Sequence, residues 1–168
     1  MATIRCLSLL TGEKITKKHD VIDQIEQAEK KSFAQHEAFD FHNELKKRNL
    51  ELVVIIDDAR DSASRPTLVA YMVFTYMKPG STVMLHKVCV REQFRRQGIA
   101  KDVLAAQVKR LKKQGTAKVQ LWVDDNNIAA RRLYNCIGFE EVSRFSDYYA
   151  VGRVSVQIAL SLVSCCNA

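Results

Sequence analysis

Arg95-Arg96-Gln97-Gly98-Ile99-Ala100 stands between two runs of different period. Before it, Val83-Met84-Leu85-His86-Lys87-Val88-Cys89-Val90 is mostly apolar and reads as a strand. After it, Ile99, Val103, Leu104, Val108 and Leu111 recur at close to helical spacing, and the run extends to Gln114. The glycine-containing turn therefore joins a strand to the start of a helix. A helix start has free backbone N–H groups and a partial positive charge, which makes it an anion site. Gly98 lets backbone approach a ligand with no Cβ in the way, and Ala100 keeps the next turn slim. Arg95 and Arg96 add two full positive charges. The chemistry on offer is a cradle for a pyrophosphate.

Two common phosphate cradles do not fit. A P-loop ends in Gly-Lys-Ser/Thr, whereas Ala100-Lys101-Asp102 follows here. A dinucleotide fingerprint needs three glycines, and this turn has one.

The 168-residue chain is long enough for one domain with a substantial core. Hydrophobic residues make up 47% and charged residues 27%, as in ordinary globular proteins. The longest nearly apolar segment, Val154 to Val163, is too short to span a bilayer, and Arg5 spoils the N-terminal apolar run as a signal peptide. A cytoplasmic, or at least intracellular, protein without membrane association is expected. The cysteines Cys6, Cys89, Cys136, Cys165 and Cys166 are odd in number and lack metal-ligand spacing, so no metal site is expected. Cys89 and Cys136 read as packing residues. Asn167 stands where a prenylation box wants an aliphatic residue. The net charge of +7 is concentrated in Lys109-Arg110-Leu111-Lys112-Lys113. No aromatic residue is interleaved there to stack a base, which argues against nucleic acid and leaves a solvated face or attraction of an acidic cofactor.

Along the chain, Ala2–Leu10 reads as a strand and Thr11-Gly12-Glu13 as a turn. Asp20 is placed to cap a helix running to about Lys31, with Val21, Ile22, Ile25 and Ala28 on one face. Ser32 to Glu37, which includes His36, breaks it, and a second helix is expected from Phe39 or Asp40 to Arg48, with His42 inside it. Leu52–Ile56 and Thr67–Met77 read as strands separated by a charged, Ser-rich loop from Asp57 to Pro66. Lys78-Pro79-Gly80-Ser81 signals a hairpin into the strand Thr82–Val90. Gly115 is placed to end the following helix, and Val119–Val123 is another strand. Asp124 to Asn127 then forms a turn and helix cap for a short helix from Ile128 to about Cys136. Strands at Glu141–Arg144 and Val151–Leu162 close the chain. The expected class is α/β (α+β), with helices packed on a central sheet.

A second motif gives this order a family resemblance. Asn127-Ile128-Ala129-Ala130-Arg131-Arg132-Leu133-Tyr134-Asn135-Cys136-Ile137-Gly138-Phe139 resembles Asn-x-x-Ala-x-x-x-Tyr-x-x-x-Gly-Phe of the GNAT acyltransferases. The turn at Arg95–Ala100 resembles their Arg/Gln-x-x-Gly-x-Gly/Ala pyrophosphate loop. The two matches fall in the family's order, one strand apart, and with the element order cover at least Leu52 to Tyr149. The resemblance implies a single domain over residues 1–168. It implies a mixed, mostly antiparallel sheet of about seven strands with helices on both faces. It also implies acetyl-CoA as co-substrate and an amine as acceptor, in a monomer or homodimer.

By the same resemblance Val88, Cys89 and Val90 give backbone groups to the pantetheine arm. Arg95, Arg96, Gln97, Gly98, Ile99 and Ala100 take the pyrophosphate, and Asn127 lies beside the pantetheine or thioester. Tyr134 is the general acid for the leaving thiolate, a task that suits a phenol neutral at pH 7. The base is less uniform. Relatives that acetylate ribosomal-protein and peptide α-amines often carry Glu or His within Leu-x-Val of the strand before the Asn motif. Here the residue is Trp122, which cannot act as a base. Leu85-His86-Lys87-Val88-Cys89-Val90 resembles instead Leu-His-x-Leu-Ala-Val of the aralkylamine acetyltransferases, making His86 the candidate base, acting through water. A core histidine bonded to backbone is the alternative.

The acceptor signal is divided. Tyr148 and Tyr149 follow Gly-Phe at the distance of the peptide-entrance pair in peptide N-terminal acetyltransferases, and Phe33 is the other expected acceptor wall. A peptide or protein amine is favoured on Tyr148 and Tyr149, and an aralkylamine or polyamine on His86. A coenzyme A-binding regulatory module without turnover is the remaining reading, and the intact Tyr134 argues against it.

Overall fold

The computed structural model describes residues 3–10, 18–33, 39–58, 66–77, 81–146 and 151–163. The expected turn at Thr11–Glu13, the break through Ala34–Glu37, the Ser-rich residues 59–65, the hairpin residues Lys78–Gly80, Tyr148, Tyr149, Cys165 and Cys166 lie outside these.

Seven strands form a sheet in the order β1-β2-β3-β4-β5-β7-β6. They are β1 (Thr3–Leu10), β2 (Leu50–Asp58), β3 (Thr67–Met77), β4 (Thr82–Val90), β5 (Lys118–Asp124), β6 (Glu140–Ser146) and β7 (Val154–Ser161). The helices are α1 (Lys18–Ser32), α2 (Phe41–Glu44), α3 (Ile99–Lys113) and α4 (Ile128–Ile137). The chain divides into two compact units. The first holds Met1–Thr75 and Lys87–Ala100, the second Tyr76–His86 and Lys101–Ala168.

In the first unit β2 pairs antiparallel with β1 on one side and β3 on the other. Flanked on both edges and covered by α1, β2 and β3 read as near-continuous apolar runs. Val21, Ile25 and Ala28 of α1 pack with Leu52, Val54, Leu68, Tyr71, Val73 and Phe41. Each large apolar side chain so buried contributes about 1.5–3 kcal/mol before entropy is charged against it. Three expectations are corrected here. Asp20 lies inside the first turn of α1, which begins at Lys18, rather than capping it. The second helix is one turn, Phe41–Glu44, capped by Asp40 and not reaching Arg48. Its stretch offers only Phe41 and Leu45 as an apolar stripe, too little to repay the cost of nucleating a longer helix. Asp57 and Asp58, expected in the loop, extend β2, where Asp57 pairs with Thr67.

In the second unit β5 alternates. Val119, Leu121 and Val123 are buried, while Gln120, Trp122 and Asp124 are half-exposed on the other face. β5 pairs antiparallel with β7, and β7 with β6. With β4 it pairs in parallel at Thr82↔Lys118, Val83↔Val119 and Met84↔Gln120. That register ends there, although β4 continues to Val90 and β5 to Asp124. α3 buries Leu104, Gln107 and Leu111. It ends as the sequence predicts, with Gly115 at φ +84° and the Thr116 N–H donating to the Leu111 carbonyl at 3.0 Å. Among the described residues no helix is long and apolar enough to cross a membrane.

Candidate active site

The turn before α3 is built from the end of β4. Glu92–Phe94 forms one 3₁₀ turn, and Arg95 then extends the chain. Arg96 and Gly98 both adopt left-handed backbone, at φ 61° and 77°. A non-glycine residue in that region is uncommon and is held there by its surroundings. Part of the holding is Arg95. Its Nε donates to the Val90 carbonyl at 3.0 Å, and a terminal nitrogen lies 3.5 Å from Ser32 Oγ. Gln97 donates back to the Gln93 carbonyl at 3.4 Å. Arg95 thus ties the turn to the strand it leaves, while the exposed Arg96 remains to meet an anion. With the first N–H groups of α3 behind it, the exposed turn presents the donor set a pyrophosphate requires.

Leading into the turn, Leu85, Lys87 and Cys89 share one face of β4, and Met84, His86, Val88 and Val90 the other. Cys89 is 4% exposed and belongs to the first unit's core, with its Sγ 3.7 Å from Ser32 Oγ. His86 is exposed, which removes the core-histidine alternative.

The Asn-to-Phe motif is a helix closed at both ends. Asn127 Oδ1 accepts the Ala130 N–H at 3.1 Å and caps α4. That oxygen is spent on the helix, so the side-chain NH₂ is what Asn127 can offer a ligand. At the other end Gly138 takes φ 102°, its N–H donates to Asn135, and the Phe139 N–H donates to the Tyr134 carbonyl at 3.1 Å. This is the Schellman arrangement, with its accompanying apolar contact supplied by the Tyr134 and Phe139 rings, edge to face at 5.7 Å. Tyr134 is 7% exposed and fixed at its backbone and its ring. Ahead of the cap, Asp124 accepts from the Asn126 N–H at 2.8 Å and from Arg153. These bonds, the backbone one first, hold its carboxyl below the usual carboxylate range. Arg131 and Arg144 each bridge Asp125 and Glu141, a network at the surface worth little by itself. Cys136, expected to be a packing residue, is exposed, because it lies on the side of α4 away from Tyr134.

Phe33 lies just past α1, half-buried, with the Lys87 ammonium 3.7 Å from its ring centre. Lys87 belongs to a buried cluster that the sequence reading missed. Glu29, 3% exposed, accepts from the Tyr71 hydroxyl at 2.5 Å and from the Phe39 N–H at 3.1 Å, with the Lys87 ammonium 3.6 Å away. Burial first, then Cys89 and Glu29, push the Tyr71 phenol far above its ordinary value, so it stays a donor. The signal was present: Glu29 follows Ile25 by four residues, so helical spacing itself puts it on the buried face. The cluster grips Phe33 and Phe39. Among the described residues no three His, Cys, Asp or Glu side chains gather as a metal site would need.

Residues 19–139 match the profile of the Acetyltransferase (GNAT) family. An N-alpha-acetyltransferase of Sulfurisphaera tokodaii is 37% identical over 89 residues, which is 52% of each chain. A [ribosomal protein bS18]-alanine N-acetyltransferase of Haemophilus ducreyi is 32% identical over 39% of this chain and 45% of its own. The chain thus spans about half the length of the curated relatives it matches. In structure, the ribosomal-protein-S18-alanine N-acetyltransferase of Escherichia coli superposes with a TM-score of 0.74 at 18% identity, over 99% of both chains. Arabidopsis thaliana NAA60, solved with a bisubstrate analogue, gives 0.74 at 20%, over 95% of this chain and 98% of that one.

Proposed function

Because the chain belongs to the Acetyltransferase (GNAT) family, we propose that it transfers the acetyl group of acetyl-CoA directly to a primary amine within a ternary complex. The observation that carries this reading is the exposed turn before α3, with Arg96 and Gly98 in left-handed backbone at a helix start. Acetyl-CoA supplies the thioester. Arg96 and the first amides of α3 hold its pyrophosphate, the even face of β4 through Val88 and Val90 lies along its arm, and Asn127 donates from its NH₂ group.

The chain's own residues then divide the proton work. An amine must lose a proton to attack, and most amines are protonated at pH 7. The exposed His86 passes that proton to water as the C–N bond forms. As the C–S bond breaks, the Tyr134 phenol protonates the departing sulfur. A peptide or protein α-amine is the preferred acceptor, a reading supported by the two curated relatives, whose names describe that class. A small amine is the second reading, favoured by the exposed His86 in place of an ionisable residue at Trp122.

The test is a pH–rate profile of free-thiol release with peptide and small-amine acceptors, for wild type and His86→Gln. The variant should lose kcat/KM mostly at low pH and recover in part at high pH, where free amine is plentiful. Superimposable profiles would remove His86 from the mechanism. A protein that binds coenzyme A yet releases no thiol with any of the amines would be a binding module.

A further inference from the structure

The open face of the second unit's sheet carries a feature that the reaction as described does not use. Across three strands the register aligns Trp122↔Gln157↔Ser143 and Asp124↔Ser155↔Phe145. Directly paired residues point to the same face, so Trp122, Asp124, Ser155 and Phe145 share one. β5 and β6 are separated by β7, a gap of roughly 9–10 Å at ordinary strand spacing. The Trp122 and Phe145 rings nevertheless meet, with centroids 5.3 Å apart at 67°. They do so by leaning toward each other across β7, where Gln157 and Ser155 lie between them. Ser155 is 0% exposed, and its hydroxyl has no hydrogen-bond partner among the described residues. The rings above it stay open to solvent, with Phe145 50% exposed.

The same face holds the proposed base. Met84 and Gln120 are paired in parallel, so they point the same way. His86 and Trp122 lie two residues beyond them on their strands, and a period of two returns both to that face.

We propose that Trp122 and Phe145, closed over Ser155, form an acceptor floor that selects primary amines whose adjoining group is aromatic or large and apolar. This rests on the N-acetyltransferase reading above. An indole and a phenyl ring set edge to face offer an acceptor ring further edge or offset contacts. They offer no charge with which to recognise a polar substituent, and the one carboxylate among the described residues on this stretch of the face, Asp124, is held by Arg153.

Phenylalanine amide and serine amide present the same reacting amine and differ only in the side chain, so they test the floor directly. Wild type should favour phenylalanine amide in kcat/KM by about tenfold or more, equivalent to about 1.4 kcal/mol. Phe145→Ser and Trp122→Gln should each bring the ratio near one while the KM for acetyl-CoA stays unchanged. Phe145 is half-exposed, so its variant tests the idea even if Trp122→Gln does not fold. Trp122 is also the only tryptophan of the chain. Its emission, read with coenzyme A bound, should respond to phenylalanine amide and not to serine amide, and Phe145→Ser should abolish the response. A wild-type ratio near one, or a ratio unaltered in a folded Phe145→Ser protein, overturns the floor alone. Should wild type acetylate neither amide, the transferase reading fails, and the emission titration still decides the floor: response to phenylalanine amide only supports it, and no response overturns it.

Discussion

The helices α3 and α4 begin in opposite ways. Each follows a strand, and each starts with N–H groups that its own turns cannot satisfy. At α4 the chain answers with its own atoms: Asn127 Oδ1 takes the Ala130 N–H, and Asp124 fastens the turn before it. At α3 the preceding residue is Gly98, which has no side chain with which to close the helix, and Arg96 adds positive charge and a left-handed backbone. The lesson is about allocation. A helix start closed by the chain is a fixed mount for something further along it, here Tyr134. One left to outside atoms is open to water or to a ligand.

The largest effect expected from this contrast concerns what the closed helix carries. Tyr134→Phe keeps the ring contact with Phe139 and removes the phenol proton. The value of kcat should fall about 100-fold or more with acetyl-CoA binding retained, as steady-state kinetics beside calorimetric titration would show. Equal loss of binding would mean that Tyr134 positions the cofactor instead. Next comes the open start. Gly98→Glu places bulk and negative charge at the proposed pyrophosphate turn, and coenzyme A affinity by calorimetry should fall at least about tenfold. Unchanged affinity in a folded variant would erase the contrast.

Asn127 separates capping from ligand binding. Asn127→Ala should cost about 1 kcal/mol of stability, the usual value of a lost cap, read by denaturant melts. Asn127→Asp keeps an accepting oxygen and should restore that stability, yet it loses the NH₂ donor and should still weaken coenzyme A binding. Recovery of both together would mean that Asn127 serves the helix alone. The smallest effect is one of pH. The folded Asp124 carboxyl is held below its unfolded value of about 3.9, so its contribution is present above that value and is lost as pH falls further. Asp124→Asn should therefore melt below wild type at neutral pH, with the two melting curves converging in strong acid. A constant offset at every pH would assign the loss to geometry rather than charge.

What could be read in the sequence follows from how local each signal is. The strands Thr67–Met77 and Thr82–Val90 fall where their composition and bounding turns place them, and Gly115 and Gly138 end their helices in left-handed backbone. The motif from Asn127 to Phe139 is legible because both caps lie within it. Side chains joined across distant sequence were not. Glu29, Tyr71 and Lys87 come from three elements, and only packing unites them. The meeting of Trp122 with Phe145 depends on the register of β7 between them, which no local pattern encodes. Asp20 misled because an acidic residue suits the first helical turn as well as the cap, through the helix dipole.

The Glu29–Lys87 pair has a consequence for how this protein can be altered. Losing Lys87 alone leaves the buried Glu29 carboxylate with only the Tyr71 hydroxyl and the Phe39 N–H, and losing Glu29 strands both of those donors along with the Lys87 ammonium, steps that cost several kcal/mol in comparable cases. The two positions are therefore locked to each other. A library that varies them one at a time will find mostly damaged proteins, and one that varies them together must also change Tyr71 to open a different packing beside Phe33.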